Sequence, residues 1–336
     1  MIRESIQILI QGISITKDEA GEAMSEIMSG EATDAQISSF ATALRMKGET
    51  SDEVAGMAAT MLEMALKVES PDEAIDTCGT GGDGSSTFNI STTAAFVVAG
   101  GGVTVAKHGN RAVSGSVGSA DVLEQLGVRI DLQPDDVQRC IDTTQMCFMF
   151  APVFHPSMRF AANARREIGI RTIFNILGPL VNPARVTRQV VGVSDPRVGE
   201  LIANVQALLG SKHSMVCHGF DGVDEISLAG PTRIWELKDA VIHSYLFDPG
   251  SVFLEHSLTS AFKVDTPLDS ATRLLAVLSG ESGPSRDIVL ANAAAGFIVA
   301  GKTTNFTEAL DLARNSIDSG QAMNSVKKLV EASNKS

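Results

Sequence analysis

A glycine-rich segment of this sequence has the residue types needed to hold a phosphate group. The letters DTCGTGGDG run from Asp76 to Gly84, after a short apolar run and before a pattern that predicts a helix at residues 91–99. Glycine lets the backbone approach an anion closely, and the free N–H groups at a helix start complement negative charge. The sequence therefore predicts that residues 79–84 form a phosphate-binding loop, with a divalent metal ion bridging phosphate and protein.

Other phosphate-binding motifs fit this segment less well. Gly79, Gly81 and Gly84 satisfy G-x-G-x-x-G, but an acidic residue should then end the next strand, and that strand ends in Lys107. The sequence contains no G-x-x-x-x-G-K-[ST] motif, so a P-loop of that type is excluded. Polar residues at the start of the predicted helix are placed to reach a ligand, although N-capping by Ser91 is expected even without one.

A second polar loop follows the next predicted strand, at residues 107–119. It offers Lys107 as a point charge, Arg111 as a planar fork and several serines as donors, which together suit phosphate oxygens. Loops after parallel strands gather at the carboxyl edge of a sheet, so this loop is expected to face the first. A solvated turn rich in glycine and serine is the alternative for the segment taken alone.

The adjacent carboxylates Asp224 and Glu225 lie between apolar residues, beyond a predicted strand that ends near His218. Oxygen ligands of this kind bind Mg²⁺, which shares its coordination with substrate phosphates. Surface charge is the usual explanation for an isolated Asp-Glu pair, but this pair stands on a third strand-end loop. The sequence thus predicts Mg²⁺ as a cofactor.

The elements that must position these loops change in kind along the chain. Residues 1–70 predict helices, because apolar residues recur at helical spacing and capping boxes begin at Thr16, Thr33 and Thr50. Gly48 is expected to end a helix. Beyond residue 74, short apolar runs bounded by glycine alternate with helical segments, which predicts an α/β fold. Strands are predicted at residues 74–77, 103–106, 147–151, 190–193 and 215–218, and closing helices at 270–279, 287–299, 307–319 and 321–333.

The composition changes at the end of the helical region, where Ser70 and Pro71 stand. We therefore predict a helical domain at residues 1–70 and an α/β domain at residues 71–336. A helical passage at residues 157–180 interrupts the second domain and is a candidate to pack on the first.

Overall composition limits the classes of function. The chain has 336 residues, 44% of them hydrophobic, which is enough for a substantial core. A formal net charge of -13 would repel a nucleic acid backbone, so nucleic acid is not expected as a partner. No apolar stretch reaches the ~18 residues of a membrane span, and four cysteines without CxxC spacing fit reduced thiols. We expect a cytoplasmic protein that does not enter a membrane.

Taken together, the motifs resemble those of the anthranilate phosphoribosyltransferase family of tryptophan biosynthesis. The resemblance covers essentially the whole chain and rests on GTGGD from Gly79, NIST from Asn89, KHGNR from Lys107, the stretch from Arg165 to Pro183, and DGVDE from Asp221. It implies a small amino-terminal helical domain and a large α/β domain with a mainly parallel sheet, of the nucleoside phosphorylase and phosphoribosyltransferase type. It also implies a homodimer formed largely through the helical domain.

The resemblance further implies which residues bind substrates and metal. Contacts to 5-phosphoribosyl 1-diphosphate are implied for Gly79, Gly82, Asp83, Thr87, Asn89, Ile90, Ser91, Thr92, Lys107, His108, Gly109, Asn110, Arg111, Ala112, Val113, Ser114, Gly115 and Ser119. The implied metal ligands are Ser91, Asp224 and Glu225. Anthranilate contacts are implied for Gly79, Asn110 and Arg165, in a tunnel that His108, His155, Gly178 and Pro179 help to line. Residues 112–117 depart from the serines and lysine that many members carry, which questions one cationic contact.

The implied reaction transfers the phosphoribosyl group of 5-phosphoribosyl 1-diphosphate to anthranilate, giving N-(5-phosphoribosyl)anthranilate and diphosphate. Arg165 suits the acceptor because a guanidinium fork matches a benzoate carboxylate. Two alternatives stay open. One is a pyrimidine nucleoside phosphorylase, which shares the architecture. The other is a non-catalytic relative that binds nucleic acid, against which the net charge of -13 speaks.

Overall fold

A computed structural model describes residues 1–112, 117–252 and 256–335 of the chain. Its first four helices are α1 (Ile2–Leu9), α2 (Lys17–Ser29), α3 (Asp34–Lys47) and α4 (Ser51–Met64). The predicted capping boxes all form: the side chains of Thr16, Thr33 and Thr50 each accept a bond from the backbone N–H three residues on, and each threonine N–H donates to the side chain of that residue. Gly48 ends α3 at a φ of 90°. Local sequence signals therefore define this helical unit well.

Seven strands form one sheet in the described part of the chain beyond this unit. They are β1 (Ile75–Gly79), β2 (Val105–Gly109), β3 (Met146–Phe150), β4 (Arg188–Gly192), β5 (His213–Gly219), β6 (Thr232–Lys238) and β7 (Val241–Phe247). The helices between and after them are α5 (Ile90–Gly100), α6 (Ser119–Gln125), α7 (Pro134–Thr144), α8 (Ala151–Phe154), α9 (Arg159–Ile168), α10 (Gly199–Leu208), α11 (Pro267–Leu278), α12 (Pro284–Val299), α13 (Phe306–Asp318) and α14 (Gln321–Ser333). The five predicted strands exist with bounds shifted by a few residues. The hairpin β6–β7 was not predicted, because its outer strand is largely exposed and carries no continuous apolar run.

The strand order β3-β2-β1-β4-β5-β6-β7 explains where a site can form. Strands β1 to β5 pair in parallel, while β6 and β7 add on as antiparallel strands. After β1 the chain moves toward β2, and after β4 it moves toward β5 on the other side. The loops that leave β1 and β4 therefore diverge, and such a switch point opens a crevice at the carboxyl ends of the strands.

Among the residues that the structure describes, two apolar cores cover the two faces of the sheet. One face packs against helices that include α5 and α12. The other face shares a core with the helical unit, where Met24, Phe40 and Met57 join Val191 and Val216 of the sheet. Helix α9 contributes to this second core and contacts α2 and α3. The helical unit is thus packed directly beside the carboxyl edge that carries the loops.

No helix in the described part of the chain is both long enough and apolar enough to cross a membrane.

Candidate active site

A cavity of about 690 Å³ opens at the carboxyl ends of β1 and β2. The predicted site residues on its lining are Gly79, Gly82, Asp83, Thr87, Asn89, Ile90, Ser91, Lys107, His108, Gly109, Asn110, Arg111, Ala112, Ser119, Arg165, Asp224 and Glu225. The tunnel candidates His155, Gly178 and Pro179 line it as well. Val113, Ser114 and Gly115 lie outside the described residues. The fold therefore gathers loops that are far apart in sequence around one space.

Thr92 is the exception among the described candidates. Its side chain is fully buried and does not line the cavity. Its hydroxyl oxygen has no hydrogen-bond partner in the described structure. The structure thus does not bring Thr92 to the surface where a substrate would sit.

The glycine loop, residues 79–84, has a backbone that side chains would strain. Gly81, Gly82 and Gly84 have φ values of 64°, 70° and 73°, in the left-handed region that favours glycine. The Gly81 N–H donates to Oδ2 of Asp224 at 2.8 Å, and the Thr80 N–H donates to the Gly192 carbonyl at 2.9 Å. The loop is therefore held against the end of β4 and the acidic pair.

Two glycines allow the acidic pair to come this close. A Cβ atom on Gly192 would lie 1.6 Å from the Asp224 carbonyl oxygen, and one on Gly79 would lie 2.5 Å from its Oδ2 atom. Both distances are impossible for real atoms, so a side chain on Gly192 would displace the backbone of the segment, and one on Gly79 would displace the Asp224 carboxylate. Gly79 and Gly192 pair with each other at the carboxyl ends of β1 and β4, so both strands end beneath Asp224.

Helix α5 points its amino terminus into the cavity without a side-chain cap. Its N-cap is Asn89, not Ser91 as predicted, and the Asn89 side chain does not cap the helix. Instead, the buried Ser270 hydroxyl donates to Asn89 Oδ1 at 2.9 Å. The Ser91 N–H donates to Oε1 of Glu225 at 3.1 Å, so a remote carboxylate takes the position that an anion would occupy. A helix start of this kind is suited to phosphate.

The ionised forms of Asp224 and Glu225 are destabilised by their surroundings. Burial, together with the nearby Asp83 carboxylate, raises the pKa of Asp224 from 3.8 to about 6. Burial and then Asp224 raise the pKa of Glu225 well above its usual range. A cation would relieve both effects, and hard oxygen donors suit Mg²⁺. In the described chain, no group of three or more His, Cys, Asp or Glu side chains is placed to hold a metal ion by itself.

The two cations of the second loop have different surroundings. Lys107 is 1% exposed, lines the cavity and donates from Nζ to the Thr77 carbonyl. Arg111 was predicted to grip phosphate, but its guanidinium donates to Asp121 at 2.9 Å and to both oxygens of Glu124 at 2.5 and 2.9 Å. The structure therefore supplies one buried cation to the cavity from this loop and turns the other toward carboxylates.

On the helical side of the cavity, Arg165 is a half-buried cation. It lies 5.6 Å from the centre of the Phe174 ring, and burial lowers the pKa of its guanidinium. No ion pair to Arg165 exists within the described residues, unlike Arg111. A desolvated cation without a counter-charge is well placed to receive a ligand carboxylate.

Two buried histidines, His108 and His155, line the cavity together. The rings of His108 and His155 are 5.2 Å apart. Burial, and then His155, lower the pKa of His108 to about 3, so the ring is neutral at physiological pH. His155 Nε2 bonds the Val181 carbonyl at 2.8 Å. His108 Nε2 and His155 Nδ1 are buried and have no partner in the described structure.

Sequence reasoning missed two residues that hold the glycine loop. Arg171 donates to the Gly81 carbonyl at 2.7 Å, and the Ser194 hydroxyl donates to the same oxygen at 3.1 Å. Both stand on irregular segments. Arg171 lies inside the motif stretch from Arg165 to Pro183, but nothing in its spacing points to the glycine loop, and Ser194 lies in no motif. Only the packing of α9 beside the sheet reveals them.

The matching family profiles agree with this architecture. The glycosyl transferase family, a/b domain, matches residues 71–323, and the glycosyl transferase family, helical bundle domain, matches residues 3–65. By fold and site the chain is a glycosyl transferase. The predicted fold class, a helical unit with a mainly parallel α/β domain, is confirmed.

Comparison with individual proteins identifies the family within this class. The anthranilate phosphoribosyltransferase of Moorella thermoacetica is 52% identical over 323 residues, which cover 96% of this chain and 95% of that protein. The crystal structure of the enzyme of that name from Thermus thermophilus has a TM-score of 0.94 and 39% identity, covering 98% of this chain and 99% of that one. The Saccharomyces cerevisiae enzyme in complex with PRPP and Mg has a TM-score of 0.91 and 28% identity, covering 99% and 97%.

The chain belongs to the anthranilate phosphoribosyltransferase family. The resemblance that the motifs indicated is thereby confirmed.

Proposed function

We propose that this protein transfers the phosphoribosyl group of 5-phosphoribosyl 1-diphosphate (PRPP) to anthranilate, with Mg²⁺ as cofactor, in tryptophan biosynthesis. The observation that carries the proposal is a single cavity with two kinds of binding surface. One side has the glycine loop, the α5 amino terminus and the Asp224–Glu225 pair. The other side has Arg165, a cation that forms no ion pair with any described residue.

The first surface suits the diphosphate of the donor. Backbone N–H groups at the glycine loop and helix start supply hydrogen bonds, and buried Lys107 supplies positive charge. Ser91, Asp224 and Glu225 are the residues that would hold Mg²⁺, which when bound neutralises charge on the leaving diphosphate. The anion is thus bound locally by a protein whose net charge is -13.

The second surface suits an aromatic acid. The Arg165 guanidinium would pair with the carboxylate of anthranilate and direct its amine toward the ribose C1 carbon. The amine lone pair forms the new N–C1 bond while the C1–O bond to diphosphate breaks, and the amine then loses one proton. The amine is neutral at pH 7, so orientation and leaving-group stabilisation supply most of the catalysis.

His108 is the candidate to accept that proton late in the reaction. Its Nε2 atom is buried and lacks a partner among the described residues, and the residue lines the cavity. We expect His108→Ala to lower turnover at saturating substrates. Unchanged turnover would remove His108 from this role.

Loss of anthranilate fluorescence tests the proposed function. We expect the purified protein to deplete the signal when PRPP and Mg²⁺ are present, and not when either is omitted. Phosphorolysis of thymidine or uridine with inorganic phosphate is the control for the nucleoside phosphorylase alternative. Activity in that assay without anthranilate consumption would overturn the proposal.

A homodimer through the helical unit accompanies this proposal. Apolar side chains on that unit are exposed, with Ile10 at 69%, Ile13 at 54% and Met46 at 84%. Such side chains support a protein partner on this surface. Sedimentation velocity on the purified chain should give the mass of a dimer, and a monomer at micromolar concentration would contradict it. Cytoplasmic location remains a prediction.

A further inference from the structure

We propose that Arg171 is a positioning residue that sets the direction of a phosphate-binding N–H group in the glycine loop. The inference rests on the proposed function, because it assigns Arg171 to the donor side of that reaction. Arg171 lines the same cavity and contacts the loop through the Gly81 carbonyl.

The geometry begins with one carbonyl oxygen that has two side-chain donors. Arg171 Nη1 lies 2.7 Å from the Gly81 oxygen, and Ser194 Oγ lies 3.1 Å from it. Arg171 follows α9, whereas Ser194 follows β4, so donors from two separate elements converge on this atom. A charged donor makes the stronger of the two bonds.

Fixing this carbonyl fixes the next N–H group. The peptide unit is planar and trans, so the Gly81 C=O and the Gly82 N–H point in opposite directions. The Gly82 N–H therefore points away from Arg171 and Ser194. Gly82 lines the cavity, and its N–H has no hydrogen-bond partner in the described part of the chain. An unpartnered donor on the cavity wall is available to a phosphate oxygen.

The peptide needs such an anchor because glycines flank it. Gly81 and Gly82 have φ values of 64° and 70°, and neither has a side chain that resists rotation of the peptide between them. A flip would turn the Gly81 carbonyl, a hydrogen-bond acceptor, toward an anion. Asp224 holds only the preceding peptide, through the Gly81 N–H. The side chains of Arg171 and Ser194 hold the peptide between Gly81 and Gly82.

Four variants test the proposal, with PRPP as the kinetic probe and inorganic diphosphate with Mg²⁺ as the binding probe. We expect Arg171→Ala to raise the KM for PRPP and the Kd of diphosphate about ten- to hundredfold, as loss of a charge-assisted hydrogen bond does. The KM for anthranilate and the thermal midpoint should stay as in the wild type. Arg171→Lys, or added guanidinium ion, should restore part of the loss.

The other two variants separate orientation from charge. Ser194→Ala removes a neutral donor to the same oxygen, so the same parameters should rise by about two- to tenfold with no change in charge. Arg166→Ala is the matched control, because Arg166 is exposed, donates to Asn163 and does not line the cavity. It should leave all parameters unchanged.

Two results would overturn the assignment. One is an Arg171→Ala protein with wild-type KM for PRPP and wild-type diphosphate affinity. The other is a loss shared equally by both substrates and by thermal stability, which would mark a general structural role. If the wild type itself fails to consume anthranilate, the proposed function is wrong, and the diphosphate titration still reports on Arg171.

Discussion

The Asp224 carboxylate accepts a hydrogen bond from the backbone N–H of Gly81 at 2.8 Å, across 143 residues of sequence. Glu225 does the same for the Ser91 N–H at 3.1 Å, across 134 residues. The two carboxylates thus occupy donors that would otherwise face an anion. Metal and phosphate affinity should depend on the same few atoms.

Replacing both carboxylates should abolish the metal dependence. We expect Asp224→Ala combined with Glu225→Ala to lower activity by at least ~100-fold, because loss of metal ligands costs more than loss of their supporting residues. Binding of Mn²⁺ with diphosphate, followed by electron paramagnetic resonance, should weaken in parallel. Asp131→Asn is the control, since that side chain is 69% exposed on the surface. Intact activity of the double variant at every Mg²⁺ concentration would show that the metal binds elsewhere.

Adding a methyl group at Gly192 should disturb the site without touching substrate. The new Cβ would lie 1.6 Å from the Asp224 carbonyl, so the acidic segment must move. A displacement of ~1 Å in a positioning element costs on the order of hundredfold in rate. We expect Gly192→Ala to lower kcat/KM by about that factor. Gly230→Ala should match the wild type, because its Cβ would meet no atom within 4 Å. Equal kinetics for the two variants would show that the close approach of Gly192 to Asp224 does not affect activity.

Removing the Arg165 side chain should weaken binding of the acceptor, anthranilate, and not that of the donor. We expect Arg165→Ala to raise the KM for anthranilate about ten- to hundredfold, since a charged hydrogen-bond partner of the carboxylate is lost. The KM for PRPP should change little, and Arg165→Lys should recover part of the affinity. Steady-state kinetics with each substrate varied in turn makes the comparison, with Arg166→Ala as control. A rise confined to the KM for PRPP would place Arg165 on the donor side.

The buried His108 should make stability depend on pH. Its pKa falls from 6.5 to about 3 on folding, so the unfolded chain binds the additional proton between these values. Above pH 6.5 the imidazole is neutral in both the folded and the unfolded chain, so the free energy of unfolding keeps its full value. As the pH falls from 6.5 toward 3, proton binding to the unfolded chain lowers that free energy. Between pH 7 and pH 5 the loss is about 2 kcal/mol of the free energy of unfolding.

Urea denaturation of the wild type and of His108→Gln at both pH values measures this effect. The variant lacks the titrating group, so its stability should fall less on acidification than that of the wild type. Parallel curves for the two proteins would show that His108 is protonated in the folded state as readily as in the unfolded one.

Much of the architecture follows from the sequence because its signals are local. A capping box spans four neighbouring residues, and the boxes at Thr16, Thr33 and Thr50 all form. Glycine at positions 79, 81 and 84 marks the loop after β1 because these backbone conformations and close approaches exclude side chains. The parallel order of β1 to β5 then brings their loops to one edge, which is why most candidate residues line one cavity.

Only the tertiary structure decided which partner each polar group takes. Arg111 has the residue type for phosphate, yet Asp121 and Glu124 bind its guanidinium. Ser91 has the residue type for an N-cap, yet Asn89 takes that position and Glu225 receives the Ser91 N–H. The strength of a charge or hydrogen bond depends on burial and on neighbours brought together by long-range packing. A local window of sequence contains neither. The sequence by itself therefore determined the helical unit, the five parallel strands and their loops, and the packed fold determined the chemistry between them.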